Sequence, residues 1–225
     1  MNKLIIDADE KTINIIKETF GTLHISEVMR SYDDSIVYTD DNDKYGWLDD
    51  IDGTFTTGRG DDKVITDSVP VGFKPKYTDE YFQFPDFEKI ITPPKDLNKS
   101  GQMTDDPKWW YNWNVVNWGT KWNSYSNEQV NENTFTWDTT WSGVVELIKE
   151  MSKKFKDINF NYAYVDEDTG YNVGSMTIRN GEVIAFADIE NGSNEAYELV
   201  FDLKGDEYRD MFILVDGEYE YKDED

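Results

Sequence analysis

The sequence predicts an α+β fold: an antiparallel sheet with one main helix packed on it, plus an acidic, β-rich insertion in the N-terminal third. Three observations carry this. Val144, Val145, Ile148, Met151 and Phe155 recur at helical spacing as one apolar stripe, with Glu146, Lys149, Glu150, Lys153 and Lys154 off it. Asn159 to Val165 alternates, setting Phe160, Tyr162 and Tyr164 on one face of a strand. Asn180-Gly181 stands between two strand-like runs, Asn172–Ile178 and Glu182–Ile189, and is a strong two-residue hairpin signal.

The other elements follow in chain order. Lys3 to Asp7 reads as a short strand. Asp9 is placed to cap a helix that carries Ile13, Ile16 and Phe20 on one face and stops at Gly21. Leu23 to Met29 reads as a second strand. From Asp33 to Asp52 there are eight acids and one base, Lys44, so turns and hairpins are favoured over helix. Gly53 to Asp67 continues as short strands between turn signals. Pro70, Pro75 and Pro85 then interrupt regular structure. Thr134 to Trp141 reads as a strand before the striped helix. Glu195 to Leu203 alternates through Tyr197, Leu199, Phe201 and Leu203, again as a strand. Met211 to Val215 is a last strand or helical turn, and the acidic tail 216–225 is expected to fray. The whole chain is expected to be one α+β domain, with 33–76 as the acidic insertion.

Forty-seven acids face 22 bases among the 225 residues, for a formal net charge of −25. Such a field repels nucleic acid and anionic membrane and draws in basic partners. There are no cysteines, which removes disulfides and thiolate metal sites. The opening apolar run is too short for a signal peptide, and no stretch approaches the ~20 apolar residues of a membrane span, so a cytoplasmic protein is expected. Seven of the eight tryptophans fall between Trp109 and Trp141, and from Lys108 to Trp137 two bases balance two acids; a neutral aromatic block in so acidic a chain is expected to be buried.

The block Asn117-Trp118-Gly119-Thr120-Lys121-Trp122 resembles the hallmark of the YubB-like proteins of phages and plasmids. Phe84 to Leu97, Thr136 to Ser142 and Tyr162 to Gly174 are similar to further elements of that family, in the same order. The resemblance runs from about Phe84 to Ile189. Ser142-Gly143 stand where the family usually has prolines, and Thr92 replaces a proline. The resemblance implies a ferredoxin-like core over 84–189 and a mobile-element origin in a bacterial host. It implies no catalytic mechanism.

Catalytic chemistry has little footing in the residues. One histidine, His24, and no nucleophile elbow leave no triad, and no phosphate-binding glycine loop is present. Asp41 to Gly46 starts like a calcium loop, but Tyr45 and Asp52 stand at positions that want other ligands. Asp166, Glu167 and Asp168 form an acidic turn, which offers a metal-assisted enzyme as one alternative function; a structural phage protein of no catalytic activity is the other. No catalytic residue, metal or cofactor is assigned. The favoured expectation is a phage-type accessory protein that binds a basic host protein, such as a nucleic-acid-binding or defence protein, as an acidic nucleic-acid mimic. Its partner-binding residues are Tyr38, Asp40, Asp41, Asp43, Tyr45, Trp47, Asp49, Asp50 and Asp52: aromatic anchors inside a charged rim. The motif residues Asn117 to Trp122 are expected in the core, with Lys121 stacked on an indole.

Overall fold

The computed structural model describes residues 1–24, 36–40, 44–49, 53–58, 63–75 and 81–222. They divide into two compact units: Met1–Thr22 with Gln83–Asp225, and Leu23–Phe82. In chain order the elements are β1 (Asn2–Ile6), α1 (Glu10–Phe20), β2 (Thr22–His24), β3 (Ile36–Thr39), β4 (Tyr45–Leu48), β5 (Phe55–Thr57), β6 (Val64–Thr66), β7 (Lys74–Pro75) and β8 (Tyr81–Gln83). Then come α2 (Phe87–Ile90), α3 (Trp110–Trp118), β9 (Tyr125–Gln129), β10 (Thr134–Asp138), α4 (Val145–Lys154), β11 (Phe160–Tyr164), β12 (Gly174–Arg179) and β13 (Glu182–Phe186). The chain closes with α5 (Asn194–Lys204), α6 (Asp206–Arg209), β14 (Phe212–Val215) and β15 (Glu218–Tyr221). Among the described residues, no helix is long and apolar enough to cross a membrane.

The first unit is built on a six-stranded sheet in the order β13-β12-β11-β1-β10-β9, antiparallel throughout. Its inner part is ferredoxin-like. β1 leads into α1, β9 and β10 form a hairpin, α4 follows, and β11 returns to lie beside β1. The β12–β13 hairpin widens this sheet by two strands. The second unit is spliced into the chain after α1, and β2 pairs with β8 where the chain enters and leaves it. That unit reaches beyond residues 33–76 on both sides.

Local chemistry explains the core elements. Asp9 caps α1, its carboxylate accepting from the Thr12 N–H at 2.7 Å, and that bond holds the Asp9 carboxyl below its usual range. Ile13, Ile16 and Phe20 then face the sheet, where Leu4, Ile6, Phe135, Trp137, Phe160 and Tyr162 meet them in one buried cluster. Leu147, Ile148 and Met151 of α4 join the same cluster. The sheet therefore carries two helices in its core, α1 and α4, where the stripe alone pointed to one main helix. Each fully buried side chain of this size contributes roughly 1.5–3 kcal/mol. Tyr162 also anchors both ends of the core: its hydroxyl donates to Asn2 Oδ1 at 2.6 Å and accepts from the Val144 N–H at 2.7 Å. Burial pushes that hydroxyl well above the usual tyrosine range.

Two segments differ from their sequence reading. Glu195 to Leu203 is not a strand but most of α5. The Ser193 hydroxyl caps it by accepting from the Ala196 N–H, and Ala196, Val200 and Leu203, spaced four and three apart, form its buried stripe. Tyr197 and Phe201, one turn apart, pack instead against Phe212 and Tyr219. That packing holds much of the tail as a strand. Asp216 and Gly217 take positive φ in a two-residue turn, and β15 pairs with β14 from Val215↔Glu218 to Phe212↔Tyr221. The tryptophan segment itself is helical, as α3, although β-favouring aromatics fill it.

Candidate functional site

The second unit is a meander, β6-β5-β4-β3 with β7 added beside β3. Its register separates the expected aromatic anchors. Tyr38 pairs with Gly46, and Ile36 with Leu48, which places these residues on one face with Phe55. Tyr38 meets the buried Phe55 edge-on at 5.4 Å, and Phe55 meets Phe73 at 5.2 Å. A Cβ on Gly46 would lie 2.2 Å from the Phe55 ring, so glycine is what lets that ring close over the sheet. Thr39 pairs with Tyr45 and Val37 with Trp47, so Tyr45 and Trp47 belong to the opposite face. The strand pleat thus gives two of the three aromatics a common face and turns Tyr38 to the other.

The acids are likewise placed by the strands. Asp40 closes the β3–β4 connection: its N–H donates to the Lys44 carbonyl at 3.1 Å, and its carboxylate accepts from the Lys44 N–H at 2.9 Å. Asp49 opens the β4–β5 connection, donating its N–H to the Thr54 carbonyl at 2.9 Å. The two connections lie at opposite ends of four-residue β4, so Asp40 and Asp49 bracket Tyr45 and Trp47. Asp41, Asp43, Asp50 and Asp52 lie outside the described residues. His24 stacks on Tyr81 with ring centroids 4.7 Å apart.

In the first unit, the motif divides between core and surface. Trp118 is buried, and its indole N–H donates to the Ile91 carbonyl at 2.9 Å. Gly119 ends α3 at φ 80°, a left-handed cap that favours glycine. Thr120 is buried; its hydroxyl donates to the Thr140 carbonyl at 3.1 Å and accepts from the Thr140 N–H at 3.2 Å. Asn117 donates to the Trp113 carbonyl at 2.8 Å. Trp122, by contrast, is 51% exposed. Lys121 Nζ lies 4.0 Å from the Trp122 ring centroid and 4.2 Å from that of Trp141, itself 58% exposed. Two surface indoles thus hold one ammonium between them. The aromatic block is not uniformly core: Gly119 ends α3 in a left-handed turn, and Trp122 beyond it lies at the surface.

The Asp166–Asp168 turn borders a polar cleft of about 360 Å³ lined in part by Asp138, Trp141, Asp166, Glu167 and Lys204. Asp166 is already engaged through both carboxylate oxygens, by the Glu167 N–H and the Asn172 amide, each at 2.6 Å. Asp168 is not part of the cleft lining. Among the described residues, no three acids or histidines are grouped to hold a metal ion.

Residues 118–205 match the model of a family described as the ferredoxin-like domain in Api92-like protein. No curated protein and no solved structure matches the chain. The match covers less than half of the chain. It starts at Trp118 within the tryptophan motif and runs through β9, β10, α4, β11, β12, β13 and α5. It leaves out β1 and α1, so the ferredoxin-like sheet of this chain is completed by a central strand from outside the matched segment. The sequence did not reveal Trp141 as the second plate of the Lys121 stack. Twenty residues and the β9–β10 hairpin separate the two, and nothing local in the sequence joins them.

Proposed function

We propose that the protein is an accessory protein of a mobile element, of the YubB-like kind, that acts by binding a basic host protein rather than by catalysis. Its second unit serves as an acidic mimic of nucleic acid and occupies the groove in which a defence or other nucleic-acid-binding protein holds its natural ligand. The observation that carries this reading is the joint placement of Tyr45 and Trp47 on one face of β4, with an acidic connection at each end of the strand. Aromatic anchors between acidic ends offer a partner both apolar contact and charge, and aromatics are the residues on which binding energy concentrates. The net charge of −25 supplies the long-range attraction for a basic surface.

The test is affinity capture from bacterial lysate at low and moderate salt, followed by competition. The expected result is specific retention of a basic protein that itself binds DNA or RNA, its loss as salt rises, and its displacement by added nucleic acid. Retention of no such protein, or of one that nucleic acid does not displace, overturns mimicry.

A further inference from the structure

Outside the acidic unit, α3 sets Trp110, Asn114 and Trp118 four residues apart, on one side of the helix. The reversal at Gly119 brings Trp122 beside them. With Glu88 and Lys99 these residues line much of a groove of about 350 Å³, a size suited to a small ligand or one unit of a longer one. Nothing assigned so far uses it. Two features of the groove are unusual for this chain. One acid and one base balance its charge, while the molecule as a whole stands at −25. In its wall, Asn114 is only 7% exposed; its Nδ2 donates to the Lys121 carbonyl at 2.7 Å, yet its Oδ1 is buried without any donor among the described residues. A buried acceptor left unpaired is costly, and such an acceptor beside a cavity asks for a ligand donor.

We infer that this groove binds a neutral sugar ring, as part of an oligosaccharide. The C–H face of a pyranose carries slight positive charge and fits the electron-rich face of an indole, and the half-exposed Trp122 is placed to supply one. Sugar hydroxyls donate and accept, so they suit Asn114, Glu88 and Lys99 together. Other ligands fit less well. A proline-rich segment also favours aromatic grooves, but its prolines bring acceptors and no backbone donor for Asn114 Oδ1. A nucleotide brings phosphate charge that the acidic chain repels. Because Oδ1 is enclosed, a small shift of the Asn114 side chain accompanies binding. The inference is independent of the acidic second unit.

The experiment titrates the full chain with linear oligosaccharides of α- and β-linked glucose, N-acetylglucosamine, xylose and mannose, read by tryptophan fluorescence and calorimetry. A proline-rich peptide and a mononucleotide are titrated in parallel. Saturable binding of at least one sugar series is expected. Trp122→Ala, at a half-exposed position, should weaken it about tenfold or more, Trp122→Phe should restore most of the loss, and Trp141→Ala should leave affinity unchanged. The inference is overturned if no sugar saturates at millimolar concentration, if binding survives Trp122→Ala in folded protein, or if only the peptide or the nucleotide binds through Trp122.

Discussion

Tyr162 shows how much of this fold hangs on single polar groups. Its hydroxyl pairs Asn2 with the first turn of α4 inside an otherwise apolar cluster. Tyr162→Phe leaves a buried acceptor and a buried donor unpaired, and urea unfolding should show a loss of about 2–3 kcal/mol. The pH dependence has a definite sign. Because the folded state holds this group protonated, its contribution is complete below the unfolded tyrosine pKa of about 10 and is lost as pH climbs above it. Alkaline unfolding should therefore be shallower in Tyr162→Phe than in the parent. Lys121 belongs to the same scale. Replacing it with Gln removes the charge held between Trp122 and Trp141, and should cost about 1 kcal/mol and alter tryptophan emission, whereas Arg should retain the stack. Asp166 is engaged by two donors, so magnesium, calcium or manganese should not raise the melting temperature. A stabilisation near the ~2.7 kcal/mol expected at a hundredfold excess over Kd would instead favour the metal-assisted enzyme.

Among the elements, α4 was legible in the sequence because its stripe is long and its polar face unambiguous. Leu147, fully buried there, should cost about 2–5 kcal/mol on replacement by Ala, measured by thermal or denaturant unfolding. β1, α1 and β11 were legible for similar reasons: alternation or helical spacing coincides with what is buried. α5 was not. Tyr197, Leu199, Phe201 and Leu203 mimic strand alternation, because the helix is apolar on two sides: Leu199, Val200 and Leu203 serve one cluster, while Tyr197 and Phe201 serve the β14–β15 hairpin. A local period cannot distinguish a two-sided helix from a strand. The tail was misread for a related reason. Its charge argued for fraying, but Tyr219 and Tyr221 have aromatic partners that lie outside the tail, on α5 and β14.

At the scale of the whole molecule, the ferredoxin-like arrangement joins a strand and helix at one end of the chain to elements more than a hundred residues later. Sequence patterns located the pieces, while the ferredoxin-like core that the resemblance implies, 84–189, leaves out β1 and α1, which the sheet places in its centre and against it. The candidate binding residues were legible as a composition, acids with three aromatics, but not as a surface. Which aromatics share a face depends on the register of β3 and β4, and a shift of one residue would reverse it. The same dependence makes the binding proposal testable by charge alone. Asp40, Asp41, Asp43, Asp49, Asp50 and Asp52 carry six of the negative charges in the stretches of sequence that flank β4. Asn at Asp40 keeps an oxygen to accept from the Lys44 N–H, so the hairpin connection tolerates the change.

The most direct measurement compares the parent with the variant carrying Asn at all six positions, titrating each against the captured basic partner across a salt series. Acidic mimicry predicts that the variant binds more weakly at low salt and that its affinity falls less steeply as salt rises. Equal affinity and equal salt dependence in the two proteins would contradict it, and would leave the acidity of this segment without a part in binding.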